Sequence, residues 1–153
     1  MSTSHTTASL SKLDRNIVFL DRALRAFIPH SNPSTRPLPV SSPTIPKLTV
    51  EEARHVAGLM RINHTGEVCA QGLYHGQAFS AKDDKVKQSM HHSALEEIDH
   101  LVWCETRLDE LGSHPSVFSP LWYGLSFGIG AVAGMISYEF SLGFVAETEI
   151  QVS

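Results

Sequence analysis

Apolar residues recur at intervals of three and four along most of this chain, and nowhere alternate with polar ones over the length of a strand. That period belongs to helices. Leu10, Leu13, Ile17, Leu20, Leu24 and Phe27 predict a short amphipathic helix over about residues 9–28. Six of the eight prolines then fall between Pro29 and Lys47, which excludes regular helix and sheet and predicts a linker. Thr49 followed by Glu52 is a capping box that opens a helix running to about residue 81, where "SAKDDK" turns the chain. A second long helix is expected over about residues 84–111, stopped by Gly112. After a loop through Pro115 and Pro120, a Gly-rich third segment runs from Leu121 toward Val152. The expected class is all-α, a helical bundle, divided as residues 1–28 (tail and amphipathic helix), 29–47 (linker) and 48–153 (bundle domain).

Charges interrupt the apolar faces at a few positions. In "SALEEIDHLVW", a helical wheel at about 100° per residue puts Met90, Ala94, Leu101, Cys104, Leu108 and Leu111 within about 60° of Glu97, with His100 about 60° to the other side. Glu97 therefore points inward. Glu96, Asp99, Arg107 and Glu110, with His92, are expected on the solvated face. A carboxylate in an apolar stripe needs a partner, either a basic side chain from another helix or a metal. One ExxH alone is common by chance and does not decide between them.

The other helices repeat the feature. Glu67 lines up with Val56, Met60, Asn63, Ala70, Gln71, Tyr74 and Ala78, a stripe with no Lys or Arg near it; His64 and His75 flank it as packed or exposed side chains or as supports for a ligand. In the third segment Glu149 shares a face with Met135, Tyr138, Leu142, Val145, Ala146 and Val152, whereas Glu147 points nearly opposite. Di-metal carboxylate bundles take one Glu from each of two helices and a Glu-x-x-His from each of two more. Glu67, Glu97 with His100, and Glu149 match three of those four contributions, and a second ExxH would lie beyond Ser153.

Composition narrows the reading. The chain has 153 residues, 42% of them hydrophobic and 18% charged, enough for one domain with a core. A net charge of −4 without a basic cluster argues against a nucleic-acid partner. Cys69 and Cys104 form no CxxC pair and read as buried thiols in a reducing compartment. The N-terminus lacks a signal-peptide pattern, and Asp14 and Asp21 are unusual in a transit peptide.

The segments "MRINHTGEVCAQGLYHGQA", "EEIDHLVW" and "LGFVAETEIQV", with "LDRNIVFLDRALRAF" near the N-terminus, resemble the demethoxyubiquinone hydroxylase family, ferritin-like di-iron monooxygenases of ubiquinone biosynthesis. The resemblance covers most of the chain. It implies a ferritin-like four-helix bundle holding two iron ions, with Glu67, Glu97, His100 and Glu149 as metal ligands and no catalytic residue beyond them. It implies hydroxylation of a polyprenyl quinol ring at its unsubstituted carbon with O₂ and two electrons from a donor the sequence does not specify. The family's histidine after Glu149 and its last ExxH helix are not within residues 1–153. On that count the chain is expected to be a C-terminally truncated bundle of about three helices, holding at most weak or single iron, with self-association as a way to supply the missing wall.

The substrate's access route should be apolar, and residues 111–138 contain no Asp, Glu, Lys or Arg. Two prolines and Gly124, Gly128, Gly130 and Gly134 favour an interfacial or closely packed helix over a continuous lipid-facing span, and glycines four apart suit tight helix packing. Peripheral attachment to the cytoplasmic side of the cell membrane is the expected location. Two other functions compete: a soluble ferritin-like or rubrerythrin-like protein that oxidises iron or reduces peroxide, which would have a polar surface, and a non-enzymatic membrane adaptor whose inward acids pair with basic residues.

Overall fold

The computed structural model describes residues 11–38 and 48–136, and the described residues form four helices and no strand. They are α1 (Lys12–Arg25), α2 (Val50–Ser80), α3 (Asp84–Glu110) and α4 (Ser119–Ile136). The start of α2 is set as its sequence predicts: the Thr49 side chain accepts from the Glu52 N–H, and the Glu52 carboxylate accepts from the Thr49 N–H at 2.8 Å. Ser11 and Asp14 build the same reciprocal cap on α1. At the end of α3, Gly112 adopts φ +63°, a left-handed conformation that costs glycine little, and Ser113 N–H returns to the Leu108 carbonyl at 2.9 Å.

Helix α2 is the centre of the assembly, packed along its length against both α3 and α4. Against α3 the contact is made by side chains: Tyr74 and Ala78 of α2, Ala81 of the turn, and Val86, Met90 and Ala94 of α3 form one buried cluster. Against α4 it is made by backbone. A Cβ built on Gly72 would stand 2.6 Å from the Tyr123 carbonyl oxygen, and one on Gly134 would stand 2.7 Å from the Gln77 carbonyl oxygen. At Gly76 and Gly130 the approach is closer still, onto the Phe127 and Leu73 carbonyls respectively. Two glycine pairs spaced four apart, Gly72 with Gly76 and Gly130 with Gly134, thus face each other across the crossing, the packing expected of the glycine spacing in α4.

Helix α1 is amphipathic, and most of its predicted apolar stripe faces away from the bundle, Phe27 excepted. Leu13, Ile17, Leu20 and Leu24 of the predicted stripe are exposed, from 49% to 67%. Phe19, Ala23 and the cap residue Ala26 turn inward instead. The reason is local fit: the Phe19 ring meets those of Phe79 and Phe127 at 5.6 Å and of His75 at 6.4 Å, and the small alanines let the helix end lie close to Val68 and Leu101. Aromatic and small side chains suit this site better than branched aliphatic ones.

The crossing of α2 and α4 predicts a split among glycines. Gly76→Ala should destabilise by about 2 kcal/mol or more, because backbone rather than a movable side chain blocks the methyl. Gly128→Ala, where nothing lies within 4 Å, should stabilise by about 0.5–1 kcal/mol. Denaturant unfolding of the two variants measures both, and equal effects would contradict the described crossing.

Candidate metal centre

Two long helices side by side bring one carboxylate each to the same depth. Glu67 on α2 and Glu97 on α3 meet, and one donor atom from each, with one imidazole nitrogen of His100, all lie within 4.8 Å of one another. His100 Nδ1 is 2.9 Å from Glu97 Oε2, the i,i+3 approach that the ExxH spacing allows on one helix face. No lysine or arginine among the described residues pairs with Glu67 or Glu97; the cations instead hold Asp21, Asp84, Asp99 and Glu110. The structure brings Glu67, Glu97 and His100 together, with Glu97 largely buried but the His100 side chain 42% exposed at the edge of the group, and the basic partner required by the adaptor reading is missing among the described residues. Glu149, with Glu139 and Glu147, lies outside the described residues.

The electrostatics mark a site short of positive charge. Burial pushes the Glu67 carboxyl up from 4.5 to about 8, reinforced by its hydrogen bond to Glu97 and by the charge of that neighbour. Without a cation the pair therefore shares a proton. Two hard carboxylates and an imidazole converging with no internal counter-charge form a donor set that fits iron. Cys104 lies on the same stripe, and burial, followed by the charges of Glu67 and Glu105, pushes its thiol up to about 12 in the metal-free chain.

Around this group, several polar side chains are fixed by partners, although the buried His64 Nδ1 and the Gln77 amide have none among the described residues. Gln71 is one turn beyond Glu67, and its amide donates to the Ala94 carbonyl at 2.6 Å, tying α2 to α3 next to the ligands. His64, one turn before Glu67, is fully buried with Nε2 3.4 Å from Glu105 Oε1, while Glu105 Oε2 accepts from the His30 N–H at 2.9 Å. His75 is buried against the Tyr123 hydroxyl at 2.8 Å. Both histidines thus take the packed reading, and each has a named partner.

Asp99 departs from expectation. Placed by the wheel on the solvated face, it is 3% exposed. The proline-rich segment covers it: Thr35 N–H donates to Oδ1 at 2.7 Å, the Ser34 and Thr35 hydroxyls add further bonds, and Arg36 Nε donates to Oδ2 at 2.7 Å. Burial alone would raise the Asp99 pKa, but these donors outweigh it and hold the carboxyl well below the usual range. Arg36 also lies over the Trp103 ring, whose centroid is 5.2 Å from that of His100. So the described part of the predicted linker is a strap across α3 at the level of the ligands. A wheel treats each helix as if only other helices could cover it, and gives no sign of a loop doing so. Glu105 was not singled out in the sequence, although its place at about 80° from Glu97, on the edge of the apolar stripe, is a signal that could have found it.

The Glu67 shift fixes a pH dependence for the metal-free chain. A carboxyl whose folded pKa lies above its unfolded value keeps a proton that the unfolded chain has released, so its contribution to stability is full below 4.5 and is lost as pH rises through about 8. Unfolding of the metal-free chain should become easier across that interval, and Glu67→Gln should flatten the dependence. An unchanged slope in the variant would contradict the assignment.

Comparison with known proteins places the sequence in a family. The profile of a family described as ubiquinone biosynthesis protein COQ7 matches residues 54–153. The chain is 77% identical over 145 residues to the 3-demethoxyubiquinol 3-hydroxylase of Psychrobacter cryohalolentis, covering 95% of this chain and 68% of that protein. The hydroxylase of Psychrobacter sp. (strain PRwf-1) is 78% identical with the same coverage, and that of Ectopseudomonas mendocina is 61% identical over 93% of this chain and 66% of its own length. No solved structure matches the chain.

Proposed function

The chain belongs to the family of the ubiquinone biosynthesis protein COQ7, and from that premise we propose that Glu67, Glu97 and His100 serve a 3-demethoxyubiquinol 3-hydroxylase as ligands of a two-iron centre. The observation that carries the ligand assignment is the convergence of three donors with no lysine or arginine paired to them among the described residues. Glu149 is the fourth ligand in this proposal, placed by its sequence pattern alone. Iron, when bound, supplies the activation of O₂: one oxygen atom enters a ring C–H bond of the quinol, and the other leaves as water with two electrons and two protons from a donor.

The chain's own residues do the rest. Glu67 and Glu97 offset the charge of the metal, which removes the cost of burying two adjacent carboxylates. Val68 and Leu101, both fully buried, keep water from the flank of the ligand pair. Gln71 fixes the spacing of α2 and α3, and the strap on Asp99 holds the turn that carries His100.

A quinol with a polyprenyl tail resides in the bilayer, and the surface suits that source. Leu121, Leu125, Ile129 and Val132 form an exposed apolar face on α4, matched by the exposed leucines and isoleucine of α1. Helix α4 is long and apolar enough to cross a membrane, but its other face is fixed to α2 by the glycine crossing. Peripheral, apolar attachment to the cytoplasmic side of the cell membrane is the proposed location. These faces also weigh against the soluble, peroxide-reducing alternative.

Two measurements test the proposal. Glu97→Ala should weaken Fe(II) binding by tenfold or more, whereas Glu96→Ala should leave it unchanged; equal effects would refute the ligand assignment. The protein should sediment with membranes and be released by mild detergent. Release by salt alone would count against apolar attachment.

A further inference from the structure

Between α1 and the α2–α3 pair lie two neighbouring cavities, of about 110 Å³ and about 360 Å³, that share Arg22, His75 and His91 in their walls. No aspartate or glutamate lines either one. Arg25, which also reaches the smaller cavity, is neutralised by Asp21 at 2.8 Å. Arg22 is not: its one partner among the described residues is His91, with Nη1 3.4 Å from Nδ1.

The hydrogen-bond directions follow from this. A guanidinium only donates, so His91 Nδ1 accepts and the ring proton sits on Nε2. His75, 5% exposed, has its Nδ1 2.8 Å from the Tyr123 hydroxyl, which leaves Nε2 as its free ring nitrogen. Arg22 and His91, both exposed at the rim, and the buried His75 thus line one space whose walls carry no carboxylate to balance the guanidinium. Burial, and after it the charges of His91 and Arg22, lower the His75 pKa to about 4, and His91 is lowered by burial and by Arg22, so the cluster disfavours further positive charge. Arg22 alone supplies a permanent one.

We propose that Arg22, His75 and His91 form a binding site for a phosphate-type oxyanion, separate from the Glu67–Glu97–His100 group. The larger cavity sets the kind of molecule that carries the oxyanion, because Val18, Phe19, Ala78 and Phe79, with the polar Asn16 beside them, make most of its remaining wall apolar, and Val18 and Phe79 are exposed at the surface. A phosphate group with an apolar appendage, as in a membrane phospholipid, satisfies both parts; free inorganic phosphate satisfies the polar part alone.

The test uses the full 153-residue chain with two probes: inorganic phosphate, and vesicles of phosphatidylcholine with or without phosphatidylglycerol. Imidazole resonances of His75 and His91 are followed by NMR, and vesicle binding by co-flotation. The site predicts that at least one probe shifts both histidines and that Arg22→Ala removes the shift. Saturation by inorganic phosphate would identify a free anion as the occupant, and a shift seen only with vesicles would identify a lipid headgroup. For vesicles, Arg22→Ala should reduce binding by tenfold or more while Arg25→Ala, already paired with Asp21, changes it less than twofold. Absence of histidine shifts with either probe, or equal losses in the two arginine variants, would overturn the proposal.

Discussion

Two carboxylates, Glu67 and Glu97, sit within reach of each other in a helical bundle whose described residues give them no cation. Left alone, that arrangement is unfavourable: burial and mutual repulsion force a shared proton on the pair at pH values where carboxyls are normally ionised. A helix interface assembled only for stability would place Leu or Ala at these positions, as it does at Leu101 and Ala94 nearby. The retained acids therefore report a function, and much of the surrounding structure serves to keep them aligned.

Three features meet that requirement from different directions. The α2–α3 interface, closed by Met90, Tyr74 and the Gln71 bond to the Ala94 carbonyl, sets the distance between the two acids. The α2–α4 crossing locks the other side of α2 through glycine backbone contacts, leaving the outer face of α4 free to be apolar. The strap at residues 34–36 fastens α3 through Asp99 and reaches His100 by way of Trp103. The hydroxylase chemistry of the COQ7 family asks for such rigidity, since a ligand group held loosely loses both metal and geometry.

Much of this was legible in the amino-acid sequence. The 3.6-residue period gave the helices; the Thr49–Glu52 cap and Gly112 gave their ends; and the position of Glu97 in an apolar stripe separated it from Glu96 next door. What was not legible came from parts without a period. The proline-rich segment carries no pattern that reveals its docking on Asp99, so a buried carboxylate was read as a wet one. Helix α1 has two candidate faces, and the larger aliphatic one lost to Phe19 and the alanines because its docking site is lined by aromatic rings and tight backbone. Sequence period identifies amphipathicity; it does not say which face finds a partner and which meets solvent or lipid.

The central claim is that the Glu67–Glu97 pair costs the metal-free fold stability and returns it on binding iron. Thermal unfolding at pH 7.5 under anaerobic conditions tests it in one experiment, comparing the wild-type chain with the Glu67→Gln/Glu97→Gln variant, each with and without Fe(II). The account predicts that the variant melts higher than wild type without metal, and that Fe(II) raises the melting temperature of wild type alone. A metal-free variant less stable than wild type, or a wild-type chain indifferent to Fe(II), would contradict it.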